Sequence, residues 1–156
     1  MTIVVDQAAW PLLRVSGGDR VRFLQGLTTV NVETLGLGAQ TWGAILSPKG
    51  RILSIFEMGK TADDIWLLCE PTLGEATRAL LEKYAVMDDV EFAADLRPKH
   101  RVWTSPAAAW QAPIVFAPAT TPASAELVQA WRIAAGMPAY GVDISDDHFP
   151  FETPLG

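Results

Sequence analysis

The chain has 156 residues, 49% apolar and 19% charged, which suits a folded domain with a real core and excludes a disordered one. Its formal charge of −6 excludes broad, non-specific nucleic-acid binding, which needs a basic face matched to phosphate. A single cysteine, Cys69, excludes an intramolecular disulfide and any multi-thiolate metal site.

In chain order, the N-terminus Met1-Thr2-Ile3-Val4-Val5-Asp6 lacks the basic-then-apolar pattern of a signal peptide. No apolar run approaches the ~18 residues of a transmembrane helix. A soluble cytoplasmic protein without a membrane partner is the expectation. Residues 10–15 read as a strand closed by Ser16-Gly17-Gly18-Asp19, with Asp19 placed to cap a short helix ending near Gly26. Residues 40–46 and 51–60 are strand-like and joined by a turn in which Pro48 sets φ and Gly50 accepts positive φ. After Asp63-Asp64, residues 65–69 make a third run, and the three predict an antiparallel meander. Their apolar runs are too continuous for one face to lie in water. Residues 72–84 predict a helix with Leu73, Ala76, Leu80 and Tyr84 on its apolar stripe. Residues 90–93 predict a strand that returns to the sheet.

Arg97-Pro98-Lys99-His100 marks a seam. Beyond it, residues 101–103 and 113–116 predict short strands among alanine and proline. Residues 124–135 predict a helix capped by Ser124, with Leu127, Val128, Trp131 and Ala135 apolar and Gly136-Met137-Pro138 as its stop. The fold class is therefore α+β, a mostly antiparallel sheet with helices packed on it. The expected organisation is an N-terminal α+β unit over residues 1–95 and a shortened second unit over 96–156, packed as one compact domain.

Few residues carry chemistry on their own. Lys49 and Arg51 flank Gly50 at a hairpin tip, where two cations can clamp a carboxylate or phosphate, or simply face solvent. Arg14, Arg20 and Arg22 could extend them into a local basic patch. The amide of Gln25 can pair with a heterocycle edge or tie down the helix end, and the second role is favoured. Cys69, ending an apolar strand, reads as a small buried hydrophobe. His100 and His148 have no ligand-type neighbour at helical spacing, and Asp146-Asp147-His148 reads as an acidic solvated loop, so no metal site is expected.

Phe23-Leu24-Gln25-Gly26-Leu27-Thr28-Thr29 and Ser47-Pro48-Lys49-Gly50-Arg51 together resemble the YgfZ-like folate-binding family, relatives of the glycine-cleavage T protein, an aminomethyltransferase. That family reads L-Q-G-x-x-T-x-D-V and, after a strand, P-K-G-R. Asn31 stands where the family has its aspartate. Trp131-Arg132-Ile133-Ala134-Ala135-Gly136-Met137-Pro138-Ala139-Tyr140-Gly141 is similar to the aminomethyltransferase pattern L-R-x-E-A-G-x-x-x-Y-G, with Ala134 in place of the pterin-contacting glutamate. The resemblance implies a folate-binding-domain fold, tetrahydrofolate as cofactor, and Gln25, Lys49, Arg51, Arg132 and Tyr140 as binding residues. It also implies an accessory role in iron–sulfur protein maturation and tRNA modification. The family's catalytic aspartate has no match in Cys69-Glu70-Pro71-Thr72-Leu73-Gly74-Glu75, so no catalytic residue is assigned. The chain ends before the position of the family's K-G-C-Y-x-G-Q-E, and a protein partner supplying that region is expected. Two alternatives stay open: an aminomethyltransferase, or a T-protein-like structural subunit of a sarcosine-oxidase-type complex.

Overall fold

The structure, a computed structural model, describes residues 1–137. Its described residues divide into two units, Trp10–Asp95 and a second made of Met1–Ala9 with residues 96–137. The first nine residues group with the smaller unit. Strand β1 (Ile3–Asp6), missed in the sequence, pairs antiparallel with β7 (His100–Trp103).

The larger unit holds β2 (Leu12–Ser16), α1 (Arg20–Leu27), β3 (Gln40–Leu46), β4 (Ile52–Lys60), β5 (Ile65–Cys69), α2 (Gly74–Tyr84) and β6 (Glu91–Ala94). The strands form one antiparallel sheet in the order β3-β4-β5-β2-β6, so the predicted meander is present and β2 closes onto it. Residues 54, 56 and 58 of β4 alternate with 55, 57 and 59, and both sets are buried, as are all five residues of β5. Continuous apolar runs bury both faces, as their pattern requires. On one face Phe23 and Leu24 of α1, with Leu73 and Leu81 at α2, pack against Leu13, Val15, Phe56, Met58, Leu67 and Cys69. Each large side chain so buried contributes ~1.5–3 kcal/mol of transfer free energy.

Two local expectations are corrected. The buried stripe of α2 is Leu73, Thr77 and Leu81, whereas Ala76 and Tyr84 are exposed and Leu80 is half-buried. A threonine can face the core because its hydroxyl lies 2.6 Å from that of Ser54 on β4, so both buried groups are satisfied. Asp19 does sit at the start of α1, but its side chain does not cap the helix. Instead its carboxylate accepts from the Asp89 N–H at 2.8 Å, while Gly18 N–H donates to the Asp89 carboxylate at 2.9 Å. This reciprocal clasp ties the loop before α1 to the loop before β6. The Asp89 N–H, with Arg22 adding, holds the Asp19 carboxyl below its ordinary range. A depressed carboxyl pKa stabilises above the unfolded value and ceases to do so as pH falls through the folded one. The clasp therefore weakens only in acid, below the usual aspartate range.

In the smaller unit, Ile3, Val5 and Trp103 form one face of the β1–β7 ribbon. A 3₁₀ turn (Pro106–Gln111) and α3 (Ala125–Ala135) pack on it through Ala109, Leu127, Val128 and Trp131. Trp103 and Trp131 stack with ring centroids 6.5 Å apart. Ser124 caps α3 by accepting from the Leu127 N–H at 3.2 Å, and Gly136 ends it with φ +68°, both as the sequence predicts. Residues 113–116 are not a strand. Only Val115 bridges, to His100, because Pro113 and the surrounding alanines give no second pair.

Candidate functional site

The two motifs that carry the family resemblance fold against each other in the larger unit. Helix α1 ends at Leu27, and residues 28–30 then run beside β3. Thr28 bridges to Ile45, Thr29 N–H donates to Ala44 O at 3.0 Å, and the Thr29 hydroxyl accepts from Ala44 N–H at 2.9 Å. The Thr28 hydroxyl donates to Leu24 O at 2.9 Å, adding to the Thr28 N–H that already donates to that carbonyl at 3.0 Å and closing the helix end. The Thr-Thr pair is thus the fastening. It sets the end of α1 beside the end of β3 that enters the 47–51 turn.

That turn has the predicted hairpin geometry. Gly50 N–H donates to Ser47 O at 2.8 Å, Ser47 N–H donates to Arg51 O at 2.7 Å, and Arg51 N–H donates to the Ser47 hydroxyl at 3.1 Å. Gly50 has φ +83°, a conformation a side chain would resist. Lys49 is exposed at the tip and Arg51 is half-buried at its base. On α1, Gln25 is half-buried, and its carboxamide oxygen accepts from Glu33 N–H at 3.0 Å. It fixes the 28–33 segment rather than the last helical carbonyls. Asn31 acts through its main chain, its carbonyl accepting from Leu35 N–H and the Thr34 hydroxyl.

Of the other residues singled out in the sequence, Arg132 lies on α3 in the smaller unit, and Tyr140, Asp146, Asp147 and His148 lie outside the described residues. The extended basic patch is corrected. Arg14 pairs with Asp95 at 2.7 Å and Asp64 at 3.2 Å, Arg22 with Asp19 at 3.1 Å, and Arg20 donates to the carbonyls of Gly17 and Ala62. Those cations hold loops together. Among the described residues no cluster of His, Cys, Asp or Glu is arranged to hold a metal ion. None of their helices is long and apolar enough to cross a membrane.

Glu57 went unremarked in the sequence. It is 1% exposed, on the sheet face opposite α1 and α2, in a transverse row with Trp42, Leu68 and Leu12. A lone carboxylate inside the apolar run Ile55-Phe56-Glu57-Met58 was the available signal.

Cys69 is fully buried, and burial pushes its thiol up to about 11, against which a hydrogen bond with Thr77 acts weakly. It should be alkylated slowly in the native state and rapidly in denaturant, which a timed labelling assay reads. Because the folded pKa is raised, the stabilisation is complete below the ordinary thiol value of 9.0 and is lost as pH climbs toward 11. Denaturation of the wild-type chain should therefore show about 2–3 kcal/mol of pH-dependent loss across that window that Cys69→Ala lacks. Equal slopes for the two would show that the thiol is not buried.

No family model matches the chain. Curated relatives do. The chain is 37% identical to the tRNA-modifying protein YgfZ of Hamiltonella defensa over 82 residues, which is 53% of this chain and 24% of that protein. It is 32% identical to YgfZ of Vibrio vulnificus over 80 residues, 51% of this chain and 25% of that one. It spans about a quarter of the length of these relatives. Among solved structures, the glycine-cleavage aminomethyltransferase T of Bartonella henselae superposes with a TM-score of 0.73 at 18% identity, covering 99% of this chain and 56% of that one, a likeness of fold.

Proposed function

For this YgfZ-like chain, related in fold to aminomethyltransferase T, we propose a tetrahydrofolate-binding accessory role of the YgfZ type, in the cytoplasm, supporting iron–sulfur protein maturation and tRNA modification. The observation that carries the proposal is the Thr28–Ile45 bridge, which joins the Leu-Gln-Gly and Pro-Lys-Gly-Arg motifs into one local structure. The two motifs carry donor side chains: the Lys49 ammonium, the Arg51 guanidinium and the Gln25 amide N–H groups. A donor set of this kind fits the acidic glutamate tail of a folate, whose carboxylates only accept. It does not supply the carboxylate that would accept from both N–H groups of a pterin, and Ala134 adds none. The tail is accordingly the end these residues hold, and Lys49, exposed on a rigid turn, is its first contact.

The same donor chemistry argues for binding rather than aminomethyl transfer, which needs a group that orients the folate amine. The isolated chain should give no aminomethyl transfer to or from a lipoyl carrier protein. Robust turnover that disappears in Glu75→Gln would contradict this. The cellular role is tested in a bacterium lacking its own YgfZ. Expression of this chain should restore modified nucleosides in its tRNA, and restoration should be lost with Lys49→Ala plus Arg51→Ala. No restoration from a chain that is expressed and folded would overturn the role.

A further inference from the structure

Ser47 and Arg51 face each other across the last rung of the β3–β4 hairpin, one step beyond the pair Leu46↔Ile52. A hydrogen-bonded antiparallel pair normally exchanges two main-chain bonds. One of them is present, Ser47 N–H donating to Arg51 O at 2.7 Å. The Ser47 carbonyl, which would accept the other, receives Gly50 N–H at 2.8 Å and closes the turn. Arg51 N–H donates instead to the Ser47 hydroxyl at 3.1 Å. A single serine therefore serves the turn with its carbonyl and the ladder with its side chain. The rung gains little from the strands beneath it. Ile45 pairs with Ser54 and Leu46 with Ile52, so the register shifts directly below and Leu53 is skipped.

From this rung we infer that Ser47 is a positioning residue for the anion-binding turn, its hydroxyl fixing the main chain from which the Arg51 guanidinium extends. The inference rests on the folate-tail site proposed above and assigns a residue that acts on it without touching the ligand. Gly50 separates Lys49 from Arg51 and has φ +83°, so the chain between the two cations passes through its most permissive residue. The bond from Arg51 N–H to Ser47 is what limits rotation there. Only a short side chain with an acceptor close to the main chain can make it. Ser, Asn and Asp favour the first position of such turns for this reason, and Thr makes the same contact more weakly.

The test is the pair Ser47→Thr and Ser47→Val, which match in shape and differ in the acceptor. Ser47→Thr should keep the wild-type protection of the Arg51 amide in hydrogen exchange and the wild-type preference for polyglutamyl over monoglutamyl tetrahydrofolate. Ser47→Val should exchange faster at Arg51 and lose about threefold of that preference, the scale of one hydrogen bond, with unchanged circular dichroism. Ser47→Asn and Ser47→Ala, with and without an acceptor, repeat the comparison without a β-branched side chain. A wild-type chain that shows no preference overturns the tail site and the inference with it. A wild-type preference that both Ser47→Val and Ser47→Ala retain overturns the inference alone and leaves the tail site standing. Equal losses in Ser47→Thr and Ser47→Val would also overturn it, since shape rather than the acceptor would then be the cause.

Discussion

Gly17→Ala is expected to destabilise the protein by about 3 kcal/mol or more, the combined scale of a strained backbone and an overpacked contact. Gly17 has φ +108°, and a methyl built there would lie 2.2 Å from the main-chain oxygen of Asp89. Main chain cannot swing aside as a flexible side chain can. The clash also falls on the Gly18–Asp19–Asp89 clasp that fixes the entry to α1, so the loss should reach the Phe23 and Leu24 packing. The internal comparison is Gly26→Ala. Gly26 lies inside α1, lacks positive φ and has nothing within 4 Å of a new Cβ. There alanine should stabilise by about 0.5–1 kcal/mol. Chemical denaturation of both variants reads the two signs, and a Gly17→Ala midpoint at or above that of the wild type would refute the clash.

The second large effect is expected at the 47–51 turn. Lys49→Ala with Arg51→Ala removes two cations from a tip whose shape is fixed by main-chain bonds and the Ser47 hydroxyl, none of which involves those side chains. The fold should therefore survive, with unchanged far-ultraviolet circular dichroism. What should disappear is discrimination between polyglutamylated and monoglutamyl tetrahydrofolate. Added carboxylates gain only from charges that meet them, and such pairs are screened by salt. A preference of about tenfold at low salt should fall to near unity in the double variant. A preference that persists there would place the tail elsewhere on the molecule.

The parts of the fold that could be read from the sequence are those whose cause is local. The 47–51 turn follows from where Pro48 and Gly50 sit, the ends of α3 from Ser124 and Gly136, and β5 from five apolar residues after an acidic turn. The parts that could not be read depend on partners far along the chain. β1 has the composition of a strand, but its pairing with β7 is invisible without the fold. Thr77 reads as a polar residue for the solvent side of α2 until Ser54 is placed opposite it. Asp19 reads as a cap until Asp89 offers its N–H. The site divides in the same way. The turn that carries Lys49 and Arg51 could be read from Pro48 and Gly50, whereas the grip of Gln25 on Glu33 and the burial of Glu57 needed neighbours in space.

The central claim, a folate held by its acidic tail at the 47–51 turn, is tested most directly by isothermal calorimetry with mono- and polyglutamyl tetrahydrofolate at two salt concentrations. Binding should be weak, in the tens of micromolar or poorer for the monoglutamate, because the pterin end lacks a bidentate acceptor worth roughly 1–3 kcal/mol. It should be tighter for the polyglutamate and weaker for both in added salt. No heat from either ligand at millimolar concentration, with the protein folded, would contradict the claim.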